Sequence, residues 1–164
     1  MKGMTNVFGE LDIKDRWNLK IIKVESNEVK NYTPIGMAYV MMRNASFEGK
    51  DISLSYKYGC VNTRDSFVVE CEKDSSACIV DFPGLSLLET RLFIQDCLDM
   101  GNLSYMDGGT NTTAINPGRL GDPVINYVHF PAHMYQTLHT HPSHRVGLVI
   151  RGNGKIELDN KEYY

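Results

Sequence analysis

The chain has no histidine before His129, no CxxC pair, no run of apolar residues that could cross a membrane, and no stripe of basic side chains. Each absence removes a class of explanation. A membrane helix needs roughly 18 consecutive apolar residues, so helical membrane insertion is not expected. The opening MKGMTNVFGELDIKDRW contains no apolar signal-peptide core, which makes the cytoplasm the expected compartment. The four cysteines, Cys60, Cys71, Cys78 and Cys97, lack paired metal-ligand spacing and in a reducing compartment read as buried thiols rather than a disulfide framework. With 17 basic against 20 acidic residues and a net charge of −3, nothing resembles the cationic footprint that a phosphate backbone attracts, and no nucleic-acid partner is expected.

The 164 residues, 42% hydrophobic and 23% charged, suffice for one ordinary core, with or without an extension. Most of the chain carries β periodicity. Leu19–Val24, Met37–Met42, Ile52–Tyr58, Phe67–Cys71 and Cys78–Phe82 are short runs of β-branched and aromatic residues between Gly, Asn, Asp and Ser clusters. In the third run Ile52, Leu54, Tyr56 and Tyr58 alternate with Ser53, Ser55 and Lys57, the pattern of a half-buried strand. One helix is predicted over 87–100: Ser86 and Glu89 have capping-box spacing, Leu87, Leu88, Ile94 and Leu98 recur at helical spacing, and Gly101 follows as a stop.

Residues 101–123 are rich in Gly, Asn and Pro and read as a connection between a β-rich N-terminal region, 1–100, and a C-terminal segment, 124–164. Within the connection, Asp107–Thr110 and Asn116–Arg119 have turn chemistry and lack phosphate-loop spacing. Strand character returns at Val124–Phe130, Met134–His141 and Val146–Ile150, and turns are expected at Arg151–Lys155 and Asp159–Asn160.

All five histidines fall between His129 and His144. Side chains two apart on a strand share a face, so His139 and His141 project together, with Tyr135 and Thr137 beside them. Two imidazoles so placed can approach one ion at about 2 Å from each nitrogen. His144 is a third candidate if the Pro142–Ser143 turn re-aims it, whereas His129 and His133 flank Phe130–Pro131 and read as packing or edge residues.

HTHPSHR followed by the apolar GLVIRGNG run resembles the first signature motif of the cupin superfamily, which reads G, five residues, HxH, three or four residues, E, six residues, G. The likeness spans Val124 to Tyr164, about a quarter of the chain. It implies a mainly β, cupin-like antiparallel sandwich or barrel of the RmlC-like jelly-roll kind. It places His139, His141 and Gly152 on motif positions. Two positions depart: His133 stands for the leading glycine, and Arg145 stands for the glutamate ligand, where a cation would repel a metal. The second cupin motif, expected about 15 to 20 residues further on, does not occur before Tyr164, so the sequence reads as a fragment of a longer protein.

Two functions follow from the resemblance. In the first, His139, His141 and His144 hold a divalent transition metal (Fe, Mn, Ni or Zn), Tyr135, Thr137 and Arg145 orient a small-molecule ligand, and the protein is an oxygenase, isomerase or lyase. In the second, the chain is a non-catalytic small-molecule-binding or homodimerising module with an incomplete metal site. Arg145 discriminates between them: two neutral imidazoles beside it suit a carboxylate or phosphate as well as a cation, so an inward Arg145 argues for an anion-binding pocket and an outward one for a vacant metal seat.

Overall fold

The computed structural model describes residues 10–14, 18–85, 91–94, 108–158 and 160–164. Its elements are all strands: β1 (Glu10–Ile13), β2 (Leu19–Val24), β3 (Glu28–Tyr32), β4 (Met37–Gly49), β5 (Ser53–Thr63), β6 (Phe67–Phe82), β7 (Arg91–Ile94), β8 (Thr110–Ile115), β9 (Ile125–His129), β10 (Ile156–Leu158) and β11 (Lys161–Tyr163). The mainly antiparallel β expectation is met. Seven strands form one sheet in the order β1-β2-β6-β4-β5-β7, with β3 on the same edge of β6 as β2, while β8-β9 and β10-β11 are separate two-stranded ribbons.

The predicted runs Phe67–Cys71 and Cys78–Phe82 are the two halves of one strand, β6. A bend separates them. Arg43 pairs with Ser76 and Ala45 with Cys71, so β4 passes this level with one residue while β6 loops out several. β2 ends opposite Ala77 and β3 resumes opposite Cys71 at the same level. Asn27, Asn44 and Asp74 all lie here with positive φ (65°, 51° and 61°), a conformation that Asn and Asp tolerate better than other side chains. Ser75 ties the bend together: its hydroxyl donates to the Asn44 carbonyl at 2.7 Å, and its own carbonyl accepts from the Ser26 hydroxyl at 2.9 Å. Such bulges sharpen the local twist and bend of a sheet.

How far the sheet bends follows from one hydrogen bond. Tyr32 lies opposite Phe67 in the ladder, yet its hydroxyl donates to Asp81 at 2.9 Å. In a straight strand Phe67 and Asp81 would stand roughly 46 Å apart at about 3.3 Å per residue, far beyond the reach of a tyrosine. The two ends of β6 are therefore brought together and the sheet closes over one of its own faces. That face, including Ile22, Val40, Phe47, Val61, Val69 and Ile79, forms a single buried cluster with residues from both sides of the bend, and Phe47 stacks on Phe67 with centroids 5.0 Å apart.

Asp81 is fully buried and satisfied. Besides Tyr32 it accepts from the backbone N–H of Ile35 at 2.7 Å and of Gly36 at 3.2 Å, which fixes the β3–β4 connection against the end of β6. Glycine is required at 36 by space: a Cβ there would sit 2.0 Å from the Phe82 carbonyl oxygen.

The opposite face of the sheet is covered by the C-terminal half of the chain. Ile115, Ala114 and Ile125 of the β8-β9 ribbon pack with Met37, Tyr39, Cys60 and Leu85. Val146 and Leu148 pack against the cluster of Ile21, Cys78 and Val80. The stretch read as the connection, 101–123, thus contains a strand, β8, which seals the sheet.

Three expectations need correction. Arg91–Ile94, inside the helix predicted over 87–100, is a strand paired with Gly59–Asn62 of β5. The open edge of β5 offers a row of backbone donors and acceptors, and filling it outweighs a helical propensity that is a weak local preference. The other residues of that predicted helix lie outside the described residues. Met134–His141 and Val146–Ile150 are irregular rather than strands, because among the described residues no strand pairs with either. The hairpin at the end is as expected, with Leu158 opposite Lys161 and Asn160 at φ 60°. Among the described residues no helix is long and apolar enough to cross a membrane.

Cys60, Cys71 and Cys78 are buried free thiols, in line with the sequence, and Cys97 lies outside the described residues. Burial pushes Cys60 and Cys78 up to about 12, and burial with the nearby Glu28 charge pushes Cys71 to about 11. All three are thus protonated at neutral pH and inert. A thiol reagent followed by mass spectrometry will leave these three unlabelled in the native protein and label them in denaturant; native labelling contradicts the packing. Asp81→Ala leaves a buried hydroxyl and two backbone N–H groups without an acceptor and should cost about 3 kcal/mol in chemical denaturation. Gly36→Ala should cost at least ~2 kcal/mol through the clash with Phe82.

Candidate functional site

The fold places the histidine segment by its two ends. Upstream, β9 leads out of the ribbon anchored by Ile125; downstream, Val146 and Leu148 re-enter the apolar face of the sheet. Between these anchors the chain turns at Pro131–Met134, where Met134 N–H donates to the Pro131 carbonyl at 3.4 Å and His133 adopts φ 63°. It then runs irregular and exposed through residue 145, with a bend at Pro142–Ser143. Gly108, at φ 69°, lies under the Pro131 ring, where an added Cβ would come within 3.3 Å of it.

An open cleft of about 970 Å³ forms along this segment, lined by Gly108 and Pro131–Thr137 together with His139 and His141. Four of the predicted site residues, Tyr135, Thr137, His139 and His141, therefore share one surface. His133, read from sequence as a packing residue, joins them; the only sequence signal was its place in the histidine cluster. His129 is partly buried in β9 opposite Thr110. His144 does not line the cleft and forms no ligand group with the pair.

The i, i+2 spacing brings His139 and His141 together without a strand. Their rings meet edge to face with centroids 4.9 Å apart and planes at 83°. His139 Nδ1 is 2.8 Å from the Thr137 carbonyl oxygen, and Arg145 Nη2 is 3.4 Å from His141 Nδ1. Arg145 thus sits on one of the paired imidazoles from outside the cleft lining. Loss of water around the ring, the Arg145 guanidinium and the neighbouring His139 together hold His141 below the usual histidine range. Its neutral form is favoured near pH 7. The sign for stability is that acid favours the unfolded chain, which takes up the proton more readily; for so exposed a ring this contribution is slight.

The residues present do not fit a closed metal site. Among the described residues no three His, Cys, Asp or Glu side chains converge, and a cation already rests on one of the two imidazoles. A structural or catalytic transition-metal site uses three or four protein ligands. What the arrangement offers instead is hydrogen-bonding edges and a positive charge at the rim of an open cleft whose lining mixes Tyr135, Gln136, Thr137 and Met134.

After Asn116–Arg119 the chain turns at Arg119–Asp122, where the Asp122 carboxylate takes up the Arg119 donors that an anion would need. Arg119 donates from its backbone N–H and Nε to Asp122 Oδ2 at 2.8 and 3.2 Å.

Comparison of the chain with protein-family models, with curated proteins and with solved structures finds no match.

Histidine-resolved NMR titration should place the His141 midpoint below the usual histidine value, and Arg145→Gln should move it upward. An unchanged midpoint in the variant means the guanidinium does not rest on the ring.

Proposed function

We propose that this chain is a cupin-like β module that binds a small anionic molecule, a carboxylate or phosphate, at the His139–His141–Arg145 cluster, and that it does so without a metal. The observation that carries this reading is the guanidinium of Arg145 on His141. An arginine is a fixed positive charge with a planar fork of donors matched to oxyanions, and it disfavours a second cation at the same ring. The cleft beside it is open and half polar, with Tyr135 and Thr137 in its lining. The oxygenase, isomerase or lyase reading requires a third ligand, and neither His144 nor Arg145 supplies one.

Because the cluster is exposed, its charge is screened and binding is expected to be weak, about millimolar, and to weaken further with added salt. Titration of acetate and of inorganic phosphate at low ionic strength, followed through the imidazole resonances, should shift His139 and His141. Arg145→Ala should lower affinity about tenfold for both anions. Equal affinity in the variant refutes the reading. So does a transition metal that stays bound stoichiometrically through gel filtration and is lost in His139→Ala.

A further inference from the structure

The hydrogen bonds on the two imidazoles set their tautomers, and the tautomers are opposite. The partner of His139 Nδ1 is a carbonyl oxygen, which only accepts, so Nδ1 carries the proton and Nε2 of the neutral ring is a lone pair. The partner of His141 Nδ1 is a guanidinium, which only donates, so Nδ1 is the lone pair and Nε2 carries the proton. With each Nδ1 tied to the protein's own groups, the Nε2 edges are what the two rings offer a ligand in the cleft they line. The pair therefore presents one acceptor, His139 Nε2, and one donor, His141 Nε2–H, on rings 4.9 Å apart, with the Arg145 charge on the opposite, Nδ1 edge of the donor ring.

A bare carboxylate or sulfate has only acceptors. It suits His141 Nε2–H but turns a lone pair toward His139 Nε2, leaving that nitrogen unbonded on binding, a mismatch that costs affinity. We infer that the cluster selects an oxyanion that carries its own O–H donor next to the charged oxygens, the smallest organic form being an α-hydroxycarboxylate. The carboxylate takes His141 Nε2–H, strengthened as a donor by the Arg145 charge on the other edge of the ring, and the hydroxyl donates to His139 Nε2. This rests on the anion-binding reading above and adds a selectivity which that reading does not require.

Two matched pairs of probes test it: glycolate against acetate, and hydrogen phosphate against sulfate at slightly alkaline pH, where both tetrahedral ions are dianions and only phosphate keeps a proton. In each pair the hydroxyl-bearing member should bind about five- to tenfold more tightly, the worth of about one net hydrogen bond. His139→Ala should erase the preference while retaining binding, whereas Arg145→Ala should weaken all four probes. Both residues are exposed, so the variants keep the fold, which circular dichroism checks. Binding of all four with no preference overturns the inference and leaves the anion reading standing, while binding of none removes both. Long-range ¹⁵N correlation spectra provide a ligand-free test: an unprotonated Nε2 on His139 with an unprotonated Nδ1 on His141 is expected, and the same tautomer on both rings overturns the proposal.

Discussion

The carboxylate of Asp81 is the point on which this architecture turns. A buried charge without partners would be untenable, and here it is met by a tyrosine hydroxyl and two backbone amides from the segment that joins β3 to β4. Of these donors, Tyr32 comes from chain that the ladder pairs with Phe67 at the far end of β6, whereas Ile35 and Gly36 lead into Met37 opposite Phe82, so it is the Tyr32 bond that can form only if the sheet folds over. Once it has, the apolar residues on both sides of the bend cover one another, and a single sheet acquires an interior. The contact of Gly36 with the Phe82 carbonyl belongs to the same closure, as backbone against backbone with no room for a side chain.

That closure settles what remains for the rest of the chain to do. With one face of the sheet internal, the other is left to be covered, and the β8-β9 ribbon and Val146–Leu148 cover it. The histidine segment is the span between these two attachments. Its ends are held by apolar packing, and in its middle His139 bonds the Thr137 carbonyl and Arg145 rests on His141. The cleft owes its place to the sheet and its chemistry to residues that take no part in the core.

Much of the fold was legible because period-2 patterning and β-branched content are local signals: β2 coincides with its predicted span, Leu19–Val24, β4 and β6 contain theirs, and β5 contains all of its span but Ile52. The continuity of β6 across Glu72–Ser76 was not legible, since its Asp, Lys and Ser residues have the composition of a turn and form a bulge whose bonds come from Asn44 and Ser26, distant in sequence. The predicted helix failed at Arg91–Ile94 for a related reason, as an unfilled sheet edge is invisible in the residues that fill it. At the site, the pairing of His139 with His141 was read from the two-residue period of a strand, and the rings do meet although the segment is not one. Arg145 was the informative departure, and its contact with His141 is what spacing could not place. The cupin resemblance concerned the histidine segment and says little about the bend, which arises in residues that the motif does not include.

Stability and recognition are thus housed in different stretches of chain. The residues that close the sheet are buried, mutually dependent and intolerant of added atoms, whereas Tyr135, Thr137, His139, His141 and Arg145 stand in solvent with few neighbours to disturb. On the anion-binding reading proposed above, variation in the second group would change what is bound without disturbing the scaffold that presents it. Such a molecule can acquire a new ligand preference through successive single substitutions, each tested by function alone rather than first by folding.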